Sequence, residues 1–304
     1  AVVIHTGVGV GGDGRMRVAA QTVVANPVGP ADLRYGLAVA VVEVQEDQKY
    51  HVAVGGFEPG LGVVFMFSVE AGGGGDGWGV PAVAQLASLT HPWDWGLYVV
   101  ALAARAGADG APPVLVVGTY LDSRCGRTPD APAGCTNSGA AHVYVLSAPG
   151  GTWAWNGTLK PAAAKANTRC GLGVAIAGDL VAVGCPFDPS PSTAVDFGEA
   201  LTSGSVVGSA HVWRLNGANA SASGREAYLK AFRAADAQAF GNTVAEEKLA
   251  ALQNSVASRA CLRRYGRSRP GGQWSRVVEA DHHQLQTSGT FVGYARRVRP
   301  AVKG

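Results

Sequence analysis

One repeated unit constrains the fold of this chain more than any other feature. Four pairs of an aromatic residue or cysteine with glycine, 60 to 75 residues apart, stand at the starts of the repeated units. They are Tyr35-Gly36, Trp95-Gly96, Cys170-Gly171 and Phe240-Gly241. Spacing of this size is typical of repeat architectures in which each repeat is one supersecondary unit. The chain is therefore expected to fold as a series of similar units rather than as one irregular domain.

The residues after each pair predict four short strands. A Val/Ala-rich first strand is followed by a polar hairpin, a second strand that ends in glycine, a variable loop, and third and fourth strands. The first strands are 37–42, 97–101 and 172–177, and the second are 51–55, 114–118 and 180–184. The third strands are 62–67, 140–145 and 209–213, and the fourth are 84–86, 157–160 and 227–230. Four strands joined by hairpin turns match a β-propeller blade.

We therefore predict an all-β fold, a β-propeller of four-stranded blades, because radial stacking covers both faces of each sheet. A β-sandwich is the rival, and the repeated strand order argues against it. The blades are predicted to occupy residues 1–245, with a basic non-repeat tail at 246–304. Within them, 1–34 and 240–245 are partial blades, and 35–95, 96–169 and 170–239 are complete.

The number of blades leaves two alternatives open. One composite and three complete blades give four, which is near the lower limit for propellers. We expect an incomplete propeller whose missing blades come from residues outside this chain. The alternative is a four-bladed ring in which residues 291–294 pair with residues 2–5 and residues 246–289 form an inserted helical excursion.

Composition excludes several classes of protein. Charged residues are 15% of the chain, below the roughly 25% usual for soluble proteins, while glycine is abundant at 43 residues. No apolar run is long enough to span a membrane. Residues 1–5 do not resemble a signal peptide, and the chain is expected to begin inside a structural unit.

The tail is predicted to contain one helical stretch, at 246–252, and is rich in arginine. Such tails bind nucleic acid, acidic polysaccharide or membrane, or are simply solvated; we favour the last and expect no nucleic-acid partner.

A family resemblance is carried by residues 170–188. This stretch resembles the FG-GAP repeat, in which a Phe-Gly strand and a Gly-Ala-Pro strand form a hairpin; Cys170 replaces the Phe and Cys185 the Ala. Residues 208–213 resemble the third strand of that family, and residues 234–241 resemble its link to the next blade. The resemblance implies a propeller like that of integrin α-subunits, in an extracellular or cell-surface protein.

Calcium binding does not follow from the resemblance. Integrin-type repeats hold Ca²⁺ in the first hairpin, where several oxygen ligands converge. The hairpins here offer only Glu46-Asp47, Asp109 and Asp179. We therefore expect no metal and no cofactor, and interpret Asp179 as a turn residue.

Cysteines and sequons favour the secretory route. Cys125 and Cys135 bracket a loop rich in Pro, Gly and Asp, and a disulfide there is expected. Cys170 and Cys185 are either a second disulfide or two small buried residues. Cys261 is left over. Two glycosylation candidates, Asn156 and Asn219, are expected on turns between third and fourth strands at one rim.

No catalytic motif is found, and the protein is predicted not to be an enzyme. His142 and His211 occupy equivalent third-strand positions and are interpreted as core histidines, and His282-His283 is not interpreted as a metal site. The predicted function is a non-catalytic structural or adhesive module, secreted or on the cell surface, that presents its loops to a protein or glycan. The alternatives are a propeller accessory to an enzyme domain outside this chain, and a cytosolic scaffold.

Overall fold

The fold is known from a computed structural model of the 304-residue chain. It describes residues 2–10, 16–24, 35–44, 49–58, 61–72, 79–89, 99–107, 111–128, 131–148, 151–190, 207–216, 219–230, 240–242 and 244. These residues form fourteen strands, β1 to β14, and no helix. The all-β prediction is therefore confirmed for the described part of the chain. The predicted helical or irregular C-terminal segment at 246–304 lies outside it.

The strands form one two-stranded and three four-stranded antiparallel sheets. The half-sheet consists of β1 (Val2–Val10) and β2 (Met16–Val24). Sheet 1 consists of β3 (Ala38–Val44), β4 (Lys49–Glu58), β5 (Leu61–Gly72) and β6 (Gly79–Gln85). Sheet 2 consists of β7 (Val99–Arg105), β8 (Val114–Thr119), β9 (Ala140–Leu146) and β10 (Trp153–Leu159). Sheet 3 consists of β11 (Gly173–Ala177), β12 (Leu180–Cys185), β13 (Ser209–Asn216) and β14 (Asn219–Leu229). Four-stranded antiparallel units were expected, and these sheets confirm them.

Within each of these sheets the strands pair in chain order, as hairpins dictate. The β11–β12 hairpin illustrates the local cause. Gly178 adopts a φ of +55°, which glycine reaches without the steric cost that a side chain imposes, and so permits the tight turn before Leu180. The resulting register pairs Ala177 with Leu180 and Gly173 with Gly184. The hairpin therefore folds at Gly178-Asp179, as the sequence predicted.

The sheets pack face to face. The first strands contact one another in series, β3 with β7 and β7 with β11, and fourth strands contact each other in the two pairs β2–β6 and β10–β14. Sheets 1 and 2 share an apolar layer, and so do sheets 2 and 3. Strands β8, β9, β11 and β12 are buried along their whole length because both of their faces are covered. The repetitive Val/Ala composition of these strands follows from that two-sided burial.

Backbone contacts at glycines join successive sheets. Gly139 of sheet 2 forms a parallel bridge with Cys170, and Gly208 of sheet 3 forms one with Phe240. A β-carbon on Gly118 would overlap the carbonyl oxygen of Gly171, and one on Gly184 would overlap that of Gly241. Two glycines of one sheet therefore receive the backbone of the anchor pair that begins the next unit.

We predict that Gly184→Ala destabilises the fold by about 1–3 kcal/mol, because the added methyl group overlaps backbone rather than a movable side chain. Urea denaturation measures the change. Gly224→Ala is the matched control: no atom lies within 4 Å of the added β-carbon, so its stability should be unchanged or slightly raised. Equal losses in the two variants would contradict the docking role of Gly184.

Candidate functional site

The candidate site is the rim where loop 120–139 of sheet 2 meets the link 160–172 that leads into sheet 3. The structure joins Cys125 to Cys135 within this loop. The loop is also closed by its own backbone: the amide of Cys125 donates to the carbonyl of Pro132 at 3.0 Å, and the amide of Cys135 donates to that of Ser123 at 3.1 Å. The disulfide and these hydrogen bonds order a segment that has no apolar core of its own.

The second candidate pair, Cys170 and Cys185, is also joined by a disulfide. Of the two alternatives that the sequence left open, the structure contains the bridge, and both cysteines are buried. The bond connects the anchor of sheet 3 to the end of β12. This bond fixes the C-terminal end of link 160–172 at the rim. The first disulfide fixes the loop in the same way. Cys261 lies outside the described residues.

A buried polar network supports the loop from below. Lys160 Nζ donates to Asp122 Oδ1 at 2.8 Å, and the amide of Arg124 donates to the same oxygen at 2.9 Å. His142 lies beside them, with Nε2 2.9 Å from Thr119 Oγ1 and Nδ1 2.9 Å from Thr158 Oγ1. Burial lowers the pKa of Lys160, while the charge of Asp122 and its hydrogen bond oppose that effect. The network fixes the start of the loop to the ends of β8 and β10.

Asp188 is the centre of an equivalent network in sheet 3. Lys165 Nζ donates to Oδ1 at 2.9 Å and the Tyr228 hydroxyl donates to Oδ2 at 2.7 Å, while Lys230 Nζ lies 3.7 Å from Oδ2. Burial raises the pKa of Asp188, but the hydrogen bond from Lys165 and the charge of Lys230 outweigh it and hold the pKa at about 2. Such a carboxylate is ionised at neutral pH and is too weak a base to take a proton there.

His211 lies against this carboxylate and is buried. It stacks on Trp213, with ring centroids 5.5 Å apart, and Tyr228 packs at 5.0 Å. Burial lowers the pKa of His211 to about 3, and the nearby Asp188 only partly offsets the effect. The imidazole is therefore neutral across the physiological range. His142 is also buried, so both histidines lie in the core, where the sequence placed them.

A small, partly enclosed cavity adjoins Asp188 and the second disulfide, with room for about one water molecule. Its lining is Pro161, Ala163, Lys165, Thr168, Cys170, Cys185, Asp188 and His211. A space of this size does not admit an organic substrate.

A partly exposed patch lies beside the two networks, and we call it the arginine rim: Tyr120, Asn137, Asn167, Arg169 and Phe187. The Arg169 guanidinium lies 4.8 Å from the centroid of the Phe187 ring and 6.0 Å from that of Tyr120. The side-chain amide Nδ2 of Asn137 donates to Asn167 Oδ1 at 3.3 Å. Phe187 is 37% exposed. The rim therefore presents a cation, aromatic surface and amides on one face.

The backbone of the arginine rim is strained. Asn137, Asn167 and Arg169 are the non-glycine residues with positive φ in the described part, at +52°, +61° and +52°. Each such residue costs on the order of 1–3 kcal/mol and persists only where its surroundings hold it. Here the amide of Asn167 donates to the carbonyl of Thr136 at 2.7 Å, and the amide of Arg169 donates to that of Asn137 at 3.1 Å. The loop and the link hold each other in this conformation.

The other candidate residues lie elsewhere. Asn156 is half-buried inside β10, at a bulge, rather than in the turn before it, because Trp153 and Trp155 extend the strand by packing against sheet 1. Asn219 is the first residue of β14, directly after the turn. Asp179 is a turn residue whose Oδ2 accepts from Arg214 at 2.6 Å. Glu46-Asp47, Asp109 and His282-His283 lie outside the described residues.

Two negative findings concern only the described residues. They contain no cluster of three His, Cys, Asp or Glu side chains placed to hold a metal ion. They also contain no helix of the length and apolar character needed to cross a bilayer.

Sequence reasoning missed the two aspartates and their lysines, although the signal was present. Asp122 and Asp188 each follow the terminal glycine of a second strand by four residues, and Lys160 and Lys230 each follow a fourth strand. Comparison of the repeats position by position finds all four.

Comparison with known proteins identifies no relative: no protein-family model matches the chain, and no curated protein matches its sequence.

We predict that the fold becomes less stable as the pH falls below about 6.5. His211 has a folded pKa of about 3 against about 6.5 in the unfolded state, so the unfolded state binds more protons between these values. The free energy of unfolding therefore decreases as the pH is lowered. Urea midpoints measured from pH 7 to pH 4 check this. In His211→Gln the loss over the same range should be distinctly smaller, and an unchanged slope would show that other groups cause it.

A second prediction concerns the loop disulfide. Replacing Cys125 and Cys135 by serine should speed trypsin cleavage after Arg124 and Arg127, because the released loop no longer keeps those bonds out of the protease. Removing a bridge of this loop size costs about 3 kcal/mol by the chain-entropy model. Mass spectrometry of timed digests gives the rates, with cleavage after Arg214 on the opposite rim as the internal reference. Unchanged cleavage after both loop arginines would contradict the prediction.

Proposed function

We propose that the protein is a non-catalytic interaction module of the FG-GAP-like β-propeller type. It acts outside the cell or at the cell surface and binds a protein or glycan partner through its rim. The stacked four-stranded sheets, with their first strands in contact in series, support the propeller. The two disulfides support an oxidising compartment.

The arginine rim is the observation that carries this proposal. The residues with positive φ lie between two disulfides, which hold the loop and the link in place. The side chains are therefore positioned before any partner binds. Pre-organisation of this kind lowers the entropic cost of binding. Arginine and aromatic residues are also enriched among the side chains that contribute most at protein interfaces. An exposed ring beside a guanidinium and two amides suits a sugar ring or an aromatic side chain with nearby acceptors.

The buried networks support a non-catalytic role. The carboxylate of Asp188 is saturated by two ammonium groups and a hydroxyl, and Asp122 is held by Lys160 and a backbone amide. Their task is to hold the loop and the link in place. Groups that are already paired inside the protein, next to a cavity of about one water molecule, provide neither a free base nor room for a substrate.

The test is binding to arrayed glycans and to purified extracellular proteins, with the full chain as the probe. Arg169→Ala and Phe187→Ala should each weaken binding to the identified partner at least tenfold, the loss typical of an interface hot spot. Arg214→Ala is the matched control, because it removes a partly exposed arginine from the opposite rim and should have little effect. Equal losses in all three variants, or none in the rim variants, would contradict the proposal. Partner binding that occurs only when a catalytic domain is attached to the chain would favour the alternative, a propeller accessory to an enzyme.

A further inference from the structure

The first strand of sheet 1 exposes an apolar face. Strand β3 alternates between buried and exposed residues. Ala40 packs in the layer shared with sheet 2, and Val42 is buried on the same face of the strand. Val39 and Val41 point the other way. Val39 is 46% exposed and Val41 57%. Two neighbouring β-branched side chains on a strand normally face another layer, so this exposure needs a physical explanation.

The other sheets show what covers this face. Hydrogen-bond register aligns Ala38, Ala101 and Gly173, each opposite the glycine that ends the second strand of its sheet. Val39 therefore corresponds to Leu102 and Val174, and Val41 to Ala104 and Ile176. Val174 and Ile176 are 8% and 1% exposed because they pack on sheet 2. Leu102 and Ala104 pack on sheet 1 in the same way. Each first strand thus uses this face to contact the preceding sheet.

The half-sheet covers only part of sheet 1. Val2 of β1 packs in a cluster with Phe65 and Phe67 of β5, and β2 contacts β6. These contacts match those that third and fourth strands make elsewhere. Among the described strands, β1 pairs only with β2, so its other edge has no partner there. Within the described part of the chain, the half-sheet therefore lacks an inner pair of strands, at the place where Val39 and Val41 are exposed.

The sequence directly after Phe240 departs from the first-strand pattern. Val244 corresponds to Val174 and packs against Ala175 and Leu180 of sheet 3, as the start of a first strand does. Two residues after Val244, the position that Ile176 holds in sheet 3 is held by Glu246, and Glu247 follows. A carboxylate does not suit a position that faces an apolar layer.

We propose that the exposed face of β3 and the free edge of β1 together bind a two-stranded β-hairpin supplied by polypeptide outside this chain. Its strands carry the Gly/Val/Ala pattern of the first and second strands: one pairs with β1 by backbone hydrogen bonds, and both cover Val39 and Val41. The interface continues the existing contact between the half-sheet and sheet 1. The proposal rests on the propeller architecture and is independent of any partner of the arginine rim.

The probe is a synthetic, fluorescently labelled peptide of residues 170–187, closed by its Cys170–Cys185 disulfide, since this is the chain's own inner hairpin. It is titrated with the full-length chain and followed by fluorescence anisotropy. We expect saturable binding that Val41→Glu weakens at least tenfold. Val23→Glu is the matched control: Val23 is also 57% exposed but lies on β2, the outer strand, and its replacement should change binding less than twofold.

Circular dichroism and thermal midpoints show whether the variants fold, and Val39→Lys provides a second variant should Val41→Glu lose structure. Absence of saturable binding, or equal weakening by Val41→Glu and Val23→Glu, would overturn the proposal. So would concentration-dependent self-association that Val41→Glu abolishes, because the occupant would then be a second copy.

The chain's own C-terminal segment is tested separately. A polarity-sensitive dye on Val41→Cys, in a Cys261→Ser background, should report an aqueous environment in the free chain and an apolar one after the hairpin is added. An apolar signal before addition would show that the chain covers its own β3 and would overturn the proposal. Failure of the rim variants to affect partner binding leaves all of these results unchanged, so the two proposals fail independently.

Discussion

Backbone-to-backbone contact between the anchor pair of one unit and two glycines of the preceding sheet sets the spacing of the structure. Gly171 donates to the carbonyl of Gly184 in its own sheet at 2.9 Å, while its own carbonyl occupies the space where Gly118 of sheet 2 would carry a side chain. Gly241 and Gly184 repeat the arrangement one sheet later. Because sheets held this close leave little room between their first strands, those strands consist mostly of valine and alanine. The high glycine content is thus a requirement of packing rather than of flexible loops alone.

The same contact creates the buried polar groups at the rim. The link must run beside the loop to reach its glycines, and this buries the polar start of the loop beneath it. The carboxyl groups of Asp122 and Asp188 then lie in an apolar environment, where each needs a cationic partner. Sheet 1 provides the comparison: its second and third strands are joined by only two residues, 59–60, and Phe65 occupies the position of His142. Long rim loops and charged networks therefore occur together, and the networks contribute orientation more than net stability.

How much could be predicted from the sequence depends on whether the signal was local. The strands, the turn at Gly178-Asp179 and the two cysteine pairs follow from residues close in sequence, and the structure contains all of them. The Asp122–Lys160 contact joins residues 38 positions apart, and periodicity within a strand carries no information about it. Asn156 was placed in a turn because Trp153 and Trp155 were not recognised as strand residues, although their packing on sheet 1 decides the matter. The exposure of Val39 could not be foreseen, since its pattern is that of a buried strand.

The two ends of the described region differ in a way that follows from these constraints. At the junction of sheets 2 and 3, glycine docking, a disulfide at the anchor and two charged networks act on the same few residues, so the arginine rim above them is held from several directions. Where the other anchor pairs carry an aromatic residue, Cys170 forms a covalent bond to Cys185, which ties the anchor to its own sheet as well as to the preceding one. At the other end, the half-sheet is the only described structure that covers this side of sheet 1, and no described first strand precedes β3 as β3 precedes β7 and β7 precedes β11. The proposed recognition surface therefore lies where the packing is most complete. The proposed hairpin site lies where the packing is least complete, because an exposed first strand gains most from a new layer.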